Sequence, residues 1–428
     1  MKSNVLIFLC FLLGCTPLSQ SSQNSSSNPK TLRLQDFAYE PQIETIVIRP
    51  GFNDPQTYLE PAVTRLGDWN LLLEFDDLRD QRDTYYVRLV HCNYDWTRSN
   101  LMDLDFLSEF NEFPVNNFEF SVDTHIPYVH YWITLPPVKL PGNYVAVVYR
   151  GSDKNDLILT KRFMVYDSRV TFQNERNLIG AGNIASLNQQ INFTVNYKNL
   201  DVINPMESVN VAIRQNRRWD NMATDIRPSF VREIEKELEY RFFEPGKMFK
   251  GGNEFRFFDM RSLINPGRNV QRVNRTVKPY EVYVEPDKSR ADEVYSQLPD
   301  LNGGFIPDNL DYSDAAFTNY AHVNFTLRAA KRYDGNVFVT GAFHHWNLND
   351  ENRMQYDSVT KSYHARVLLK QGWYDYQYLV QAPNVPPYIL EGSHFQTENF
   401  YEIFVYYRPF QPQADLLIGY VRLEKNPR

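Results

Sequence analysis

Cys15 is the side chain best placed for covalent chemistry. It follows Leu12-Leu13-Gly14, at the end of an apolar run from Val5 to Leu13 and behind the basic opening Met1-Lys2. A charged start, a short apolar core, a small residue and then cysteine form the pattern of a bacterial lipoprotein signal, cut before the cysteine. The run is far short of the ~20 residues that cross a bilayer as a helix. Residues 1–14 therefore read as a removed signal peptide, and the Cys15 thiol as the lipidation site. Each acyl CH₂ buried in the membrane then contributes about 0.8 kcal/mol of anchoring.

The other reactive side chains point to bland roles. His91-Cys92 offers a thiol and an imidazole, but neighbours in a strand face opposite ways and cannot pair there. Cys92 is expected to be a small core residue. His344-His345 offers two nitrogen ligands, yet adjacent histidines rarely hold one ion on regular structure, and no third ligand stands at helical or hairpin spacing. They are expected to be exposed loop residues. Asp103, Asp105, Glu109 and Glu112 are scattered, whereas a glycosidase needs two carboxylates fixed across a cleft. They read as solvated charges. No G-x-S-x-G, H-E-x-x-H, phosphate loop or dinucleotide fingerprint occurs. No catalytic, cofactor or metal residue is assigned, and the chain is expected not to be an enzyme.

The elements that must position these residues are strands. Aromatic residues make up 15% of the chain, with 28 Tyr and 29 Phe against 18 Gly. That bias suits pleated surfaces, and 25 Pro argue against long helices. The net charge of −7 becomes one unit more negative when Lys2 leaves with the signal, and no basic face for nucleic acid is visible. Of three cysteines, Cys10 leaves with the signal and Cys15 is acylated, so Cys92 has no intrachain disulfide partner. Core packing must hold the domains.

Residues 15–30 carry the lipidated cysteine and a Ser/Asn/Gln-rich tether. The tether lacks the acidic cluster by which surface-exported lipoproteins of the Bacteroidetes resemble one another. Retention on the periplasmic face of the outer membrane is expected. Residues 31–167 alternate as a β-sandwich should, with Tyr85, Val87 and Leu89 on one face and Tyr86, Arg88 and Val90 on the other. A second sandwich is expected over 168–286, its strands solvated on one side, with a short helix at Ser229 to Leu238. Residues 287–314 read as a linker and 315–428 as a third sandwich. The predicted class is all-β, tandem immunoglobulin-like or early-set sandwiches.

Two resemblances add to this reading. Gly341-Ala342-Phe343-His344-His345-Trp346-Asn347, with Gly372-Trp373-Tyr374, resembles the early-set sandwich of glycogen-binding modules. By position Trp346 corresponds to a sugar-stacking tryptophan, with Asn347 and Trp373 as possible carbohydrate or partner contacts. The second covers nearly the whole mature chain. His91-Cys92-Asn93-Tyr94-Asp95-Trp96, Leu140-Pro141-Gly142-Asn143-Tyr144, Arg162-Phe163-Met164-Val165-Tyr166, Gly251-Gly252-Asn253-Glu254-Phe255-Arg256 and the run Glu391 to Arg408 occur in order. Together they resemble the type IX secretion system plug protein family of the Bacteroidetes. That resemblance implies a multi-domain periplasmic protein without catalytic residues, which closes the periplasmic end of the outer-membrane β-barrel translocon. The partners expected are the translocon and, through Cys15, the membrane. The alternative is a carbohydrate-binding cell-envelope lipoprotein using the third domain. Aromatics such as Trp96, Trp346 and Trp373 would be the first contacts to test, although each is expected to be core, with Trp346 and Phe343 packing the edge of the domain.

Overall fold

The computed structural model describes residues 30–51, 54–174, 186–242 and 248–427. Cys15, the signal and the tether up to residue 29 lie outside the described residues. Among those described, strands dominate, and the α-helices are single turns at Asp103–Phe106 and Pro205–Ser208. No described helix is long and apolar enough to cross a membrane.

The first sandwich is built from strands between Phe37 and Tyr166. One sheet runs in the order Phe37–Ala38, Leu157–Tyr166, Gly142–Arg150, Tyr85–Cys92, Phe113–Pro114, with Val63–Arg65 added in parallel to Leu157–Tyr166. The facing sheet is Ile43–Pro50, Leu71–Asp77, Val129–Thr134, Asn117–Phe120. Tyr85, Val87 and Leu89 enter the core beside Phe75, Tyr131 and Tyr144. Phe75 stacks on Tyr131 at 5.3 Å and meets Tyr85 edge-on at 5.4 Å, the offset and edge geometries that rings prefer.

His91 and Cys92 take opposite faces, as the period of two requires. His91 points into the first core against Phe106 and Tyr144. Cys92 is buried in a separate cluster with Trp96, Val145 and Met164, and burial pushes its thiol up to about 12. His91 is 2% exposed and packed between the Phe106 and Tyr144 rings. Burial pulls its pKa down from 6.5 to about 4. The unfolded chain therefore takes up the proton first. Stability from this group is whole above pH 6.5 and is lost as pH falls towards 4, a span worth on the order of 3 kcal/mol. Urea midpoints at neutral and mildly acidic pH should show this loss, and His91→Leu should flatten it.

The remaining strands form two further sandwiches, but not at the expected boundaries. One sheet of the middle sandwich is Thr171–Asn174, Phe193–Asn196, Glu237–Tyr240, Phe230–Arg232. Its partner sheet is Ala223–Ile226, Val209–Gln215, Asn399–Tyr407, Leu416–Lys425. The two C-terminal strands, expected in the third block, thus complete the second. The third sandwich lies between: Arg256–Asp259, Gly372–Gln381 and Phe305–Pro307, with Asn336–Thr340, face a sheet built on Tyr280–Val284, Tyr320–Arg328 and Ser362–Lys370. We propose a discontinuous middle domain, with the third inserted at about residues 251–398. Periodicity shows that a segment is a strand; it does not show which sheet receives it.

Other expectations change with the pairing. The segment 287–314 is not a free linker. Asp287–Lys288 and Phe305–Pro307 pair with third-sandwich strands, and the Leu301 and Gly303 amides donate to Asp375. The expected helix at Ser229 to Leu238 is a hairpin, turning at Lys236 with φ 52°. In Val209–Gln215 the core face is as expected, but Ala212 and Arg214 opposite are also buried, because the first sandwich covers them.

Candidate functional site

The contacts between the three β-sandwiches hold several buried polar groups. Among the described residues no group of His, Cys, Asp or Glu is arranged to hold a metal ion. Asp103, Asp105 and Glu109 are solvated; Asp105 accepts from the Met102 amide, and Glu112 from Tyr149 at 2.8 Å.

The first and middle sandwiches meet sheet on sheet. Val90, Val145, Val147 and Met164 pack against Ala212, Phe404, Tyr406 and Leu417. Within this apolar layer Tyr406 donates to Asn143 Oδ1 at 2.8 Å, so its buried hydroxyl is satisfied. Beside it Arg214 and Glu402 form a two-pronged pair, both contacts 2.8 Å. The pair is covered by Trp219, whose ring centre lies 4.0 Å from the Arg214 guanidinium. Trp96 meets Trp219 edge-on at 4.9 Å, and Arg162 lies 4.3 Å from the Trp96 ring centre. Trp96 is thus interface core, 6% exposed.

The first and third sandwiches meet around Asp76, which is fully buried. Its Oδ2 accepts from Lys370 Nζ and the Tyr320 hydroxyl, each at 2.7 Å, and its Oδ1 lies 2.7 Å from His130 Nδ1. Burial alone would raise this carboxyl; Lys370, then His130, outweigh it and hold it at about 2. Lys370 is shifted upwards: burial would lower it, but the charge and hydrogen bonding of Asp76 and Tyr128 together outweigh that. Around the pair, Tyr128 donates to the Thr318 carbonyl at 3.0 Å and the Val122 amide to the Ala316 carbonyl at 2.8 Å.

All three sandwiches converge on the loop that resembles a sugar site. Arg217, from the middle sandwich, donates to the Leu59 carbonyl of the first and, at 3.2 Å, to the Leu301 carbonyl of the third. Burial lowers its pKa to about 10. Lys161 of the first sandwich lies 2.8 Å from Asp36 and 3.0 Å from His345 Nδ1, and Asn347 Nδ2 donates to the Asp36 carbonyl at 3.2 Å. His344 and His345 are therefore half-buried rather than exposed. Burial lowers them to about 4 and about 3, with Lys161 adding to the shift of His345.

Trp346 is 7% exposed. Left-handed backbone at His345 (φ 53°) and Trp346 (φ 62°) turns the ring inwards. Phe255 packs on it at 5.7 Å, the Arg218 guanidinium sits 4.1 Å from its centre, and a Cβ on Gly303 would lie 2.7 Å from the ring. These contacts cover the faces a sugar would use. Trp373 is half-buried, stacked on Phe257 at 4.6 Å. The cleft beside Trp346 measures about 110 Å³, below the ~300–1,000 Å³ of typical small-molecule sites. Trp346→Ala should therefore lower the thermal midpoint by several degrees through lost packing, with no sugar affinity to lose; calorimetry and glycan binding check both parts.

Of the residues that sequence reasoning singled out, Trp96, Trp346 and Asn347 lie where sandwiches meet, and Trp373 packs within the third on Phe257. That reasoning missed Asp76, Lys370, Arg214, Arg217 and Glu402. No local signal marks these residues, since each is one charge among many and acquires its partner only through tertiary pairing.

The fold and its interfaces define a class: an all-β protein of sandwiches joined by buried polar and apolar contacts. Residues 43–167 match the family model described as the type 9 secretion system plug protein 1st domain. The first domain of this chain is thus similar to the first domain of the type IX secretion plug family. Over 92% of its length the chain is also similar to the crystal structure of a hypothetical protein from Parabacteroides merdae ATCC 43184, solved at 2.30 Å. The identity is 28%, the TM-score 0.85, and 100% of that chain is covered. No curated protein matches the chain.

Proposed function

We propose that this protein is a non-enzymatic gating subunit that binds and seals the periplasmic end of the type IX secretion translocon, held at the outer membrane by lipid on Cys15. The observation that carries this reading is the plug-family match over residues 43–167, most of the first sandwich. Its physical support is the way the domains are fastened. A body that blocks a pore must resist being pulled apart, and here each sandwich is tied to its neighbours through buried ion pairs and hydrogen bonds. Sealing requires shape and affinity, not chemistry. Exchange between bound and free plug would open the pore if substrate or an adaptor shifts the two populations. A lipid anchor would raise the effective concentration of the released plug near the mouth. The site geometry favours no carbohydrate reading, because Trp346 has no open face.

Deleting the gene should make the outer membrane permeable to solutes that an idle, unplugged translocon would pass, and reintroducing the chain should restore the barrier. Unchanged permeability in the deletion strain would contradict sealing. Cys15→Ala behind a soluble signal peptide should weaken the barrier while leaving the fold intact.

A further inference from the structure

The middle sandwich has one end occupied by the third domain and an opposite end whose loop tips are exposed, although Arg408 and Asp415 at that end also bond Asn93 and the Tyr94 amide of the first sandwich. At the occupied end two crossovers lead into the third domain: residues 251–254 outwards, residues 391–398 back. The opposite end is set by register. Asn196 pairs with Glu237, Arg232 with Glu237, and Val209 with Tyr407. The loops 197–208, 233–236 and 408–415 therefore all emerge there. They touch one another: Lys236 Nζ reaches the Leu200 carbonyl at 3.3 Å, and the Arg408 amide donates to the Ser208 carbonyl at 3.0 Å.

Each of the three loops carries a large apolar side chain at its tip. Ile203 is 83% exposed, Ile234 95% and Phe410 85%, among the most exposed large apolar residues described. Isolated exposed hydrophobics need no explanation, but several gathered on adjoining loops mark an interaction site. The charges around them are informative. Lys236 is engaged with Asp201 at 3.4 Å, and Arg408 with Asp415 at 2.9 Å. Glu207, Glu233 and Glu235 are exposed on the same loops, and they exceed the remaining cations, Lys198 and Arg227. Carboxylates beside the apolar tips oppose approach to an anionic lipid surface. They suit a protein surface that offers an apolar cleft with a basic rim, where opposite charge guides the encounter and apolar burial holds it.

We propose that this exposed end is the face that docks onto the secretion machinery, inserting Ile203, Ile234 and Phe410 into an apolar, basic-rimmed cleft of the partner protein. The inference rests on the plug reading and specifies its contact surface. All three side chains are outside the cores, so their replacement leaves the fold in place.

The test uses the full-length tagged protein purified from membranes of cells that produce the translocon. Three forms are compared: unchanged, Ile203→Ser/Ile234→Ser/Phe410→Ser, and Glu207→Lys/Glu233→Lys/Glu235→Lys. Thermal midpoints confirm folding. Ten-fold or greater loss of co-purified translocon with the apolar variant, and loss with the charge-reversed one, supports the proposal. Equal recovery with all three forms overturns the docking face while leaving the plug reading standing. Absence of translocon from the unchanged protein overturns both. Flotation of the unchanged protein with phosphatidylethanolamine–phosphatidylglycerol vesicles, lost in the apolar variant, would make the end a lipid contact and overturn a protein occupant. Concentration-dependent dimers abolished by the same variant would make it a self-contact, with the same consequence.

Discussion

Asp76→Ala should destabilise the protein by about 3–5 kcal/mol, the cost of leaving one partner of a buried ion pair alone. The carboxylate is fully buried and takes contacts from Lys370, Tyr320 and His130. With it gone, the Lys370 ammonium stays 4.3 Å from the Tyr128 ring centre with no anion in contact. Removing both ends is a different experiment. Asp76→Ala/Lys370→Met replaces the pair by apolar volume, so it should recover a large part of the loss, and the coupling appears as non-additivity in a double-mutant cycle. Because the pair joins the first and third sandwiches, the single variant should also split urea unfolding into separate steps. The pH dependence has a definite sign. The folded carboxyl is held at about 2 against an ordinary 3.8, so its contribution is whole above pH 3.8 and is lost as pH falls through about 2.

Glu391→Ala should have an effect of the same order, about 3–5 kcal/mol, felt within the third sandwich at the root of its return crossover. Glu391 begins the return crossover. Its Oε1 accepts from Arg256 Nε at 3.0 Å and from the Tyr378 amide at 2.8 Å, and its Oε2 accepts from Arg290 at 2.8 and 3.0 Å. Burial would raise its pKa; Arg256 and Arg290 outweigh that and hold it below the ordinary carboxylate value. Without it two guanidiniums converge on an empty position. Arg256 keeps Asp287 at 2.6 Å, so Arg290 bears more of the loss. Glu391→Gln retains an acceptor for the Tyr378 amide and should cost less. Limited proteolysis should show new cleavage at residues 251–254 and 391–398 in the alanine variant, because those strands are tied to each other there.

These crossovers explain why some of the molecule was legible in its sequence and some was not. Gly251 to Arg256 and Glu391 to Arg408 carry much of the family resemblance, and they are the segments that stitch the two sandwiches together. Gly251 passes so close to the other crossover that a Cβ would collide with the His394 carbonyl oxygen. Asn399 Nδ2 donates to the Gly251 carbonyl at 2.8 Å, and the His394 amide to the Gly252 carbonyl at 2.8 Å. The resemblance was visible because a motif is local. That these two motifs touch was not, because contact across some 140 residues leaves no periodicity.

The same division runs through the site residues. Strand alternation placed His91 and Cys92 on opposite faces, as found. It also called the polar side of Val209–Gln215 solvated. That failed because polarity of a face shows it can be wetted, and Arg214 is instead dried by Glu402, Trp219 and the first sandwich. The loop from Gly341 to Asn347 kept the residue types of a sugar platform, but two left-handed residues and the packing of Phe255 and Arg218 turn Trp346 into a domain contact. Such a reversal depends on neighbours that only the assembled fold supplies.

The central claim is that this chain occupies the translocon mouth. Affinity purification of the full-length tagged protein from membranes, with partners identified by mass, tests it most directly. The account predicts that the type IX outer-membrane translocon is recovered as a major partner in the absence of secretion substrate. Purification that repeatedly yields the folded, membrane-associated chain without the translocon would contradict it.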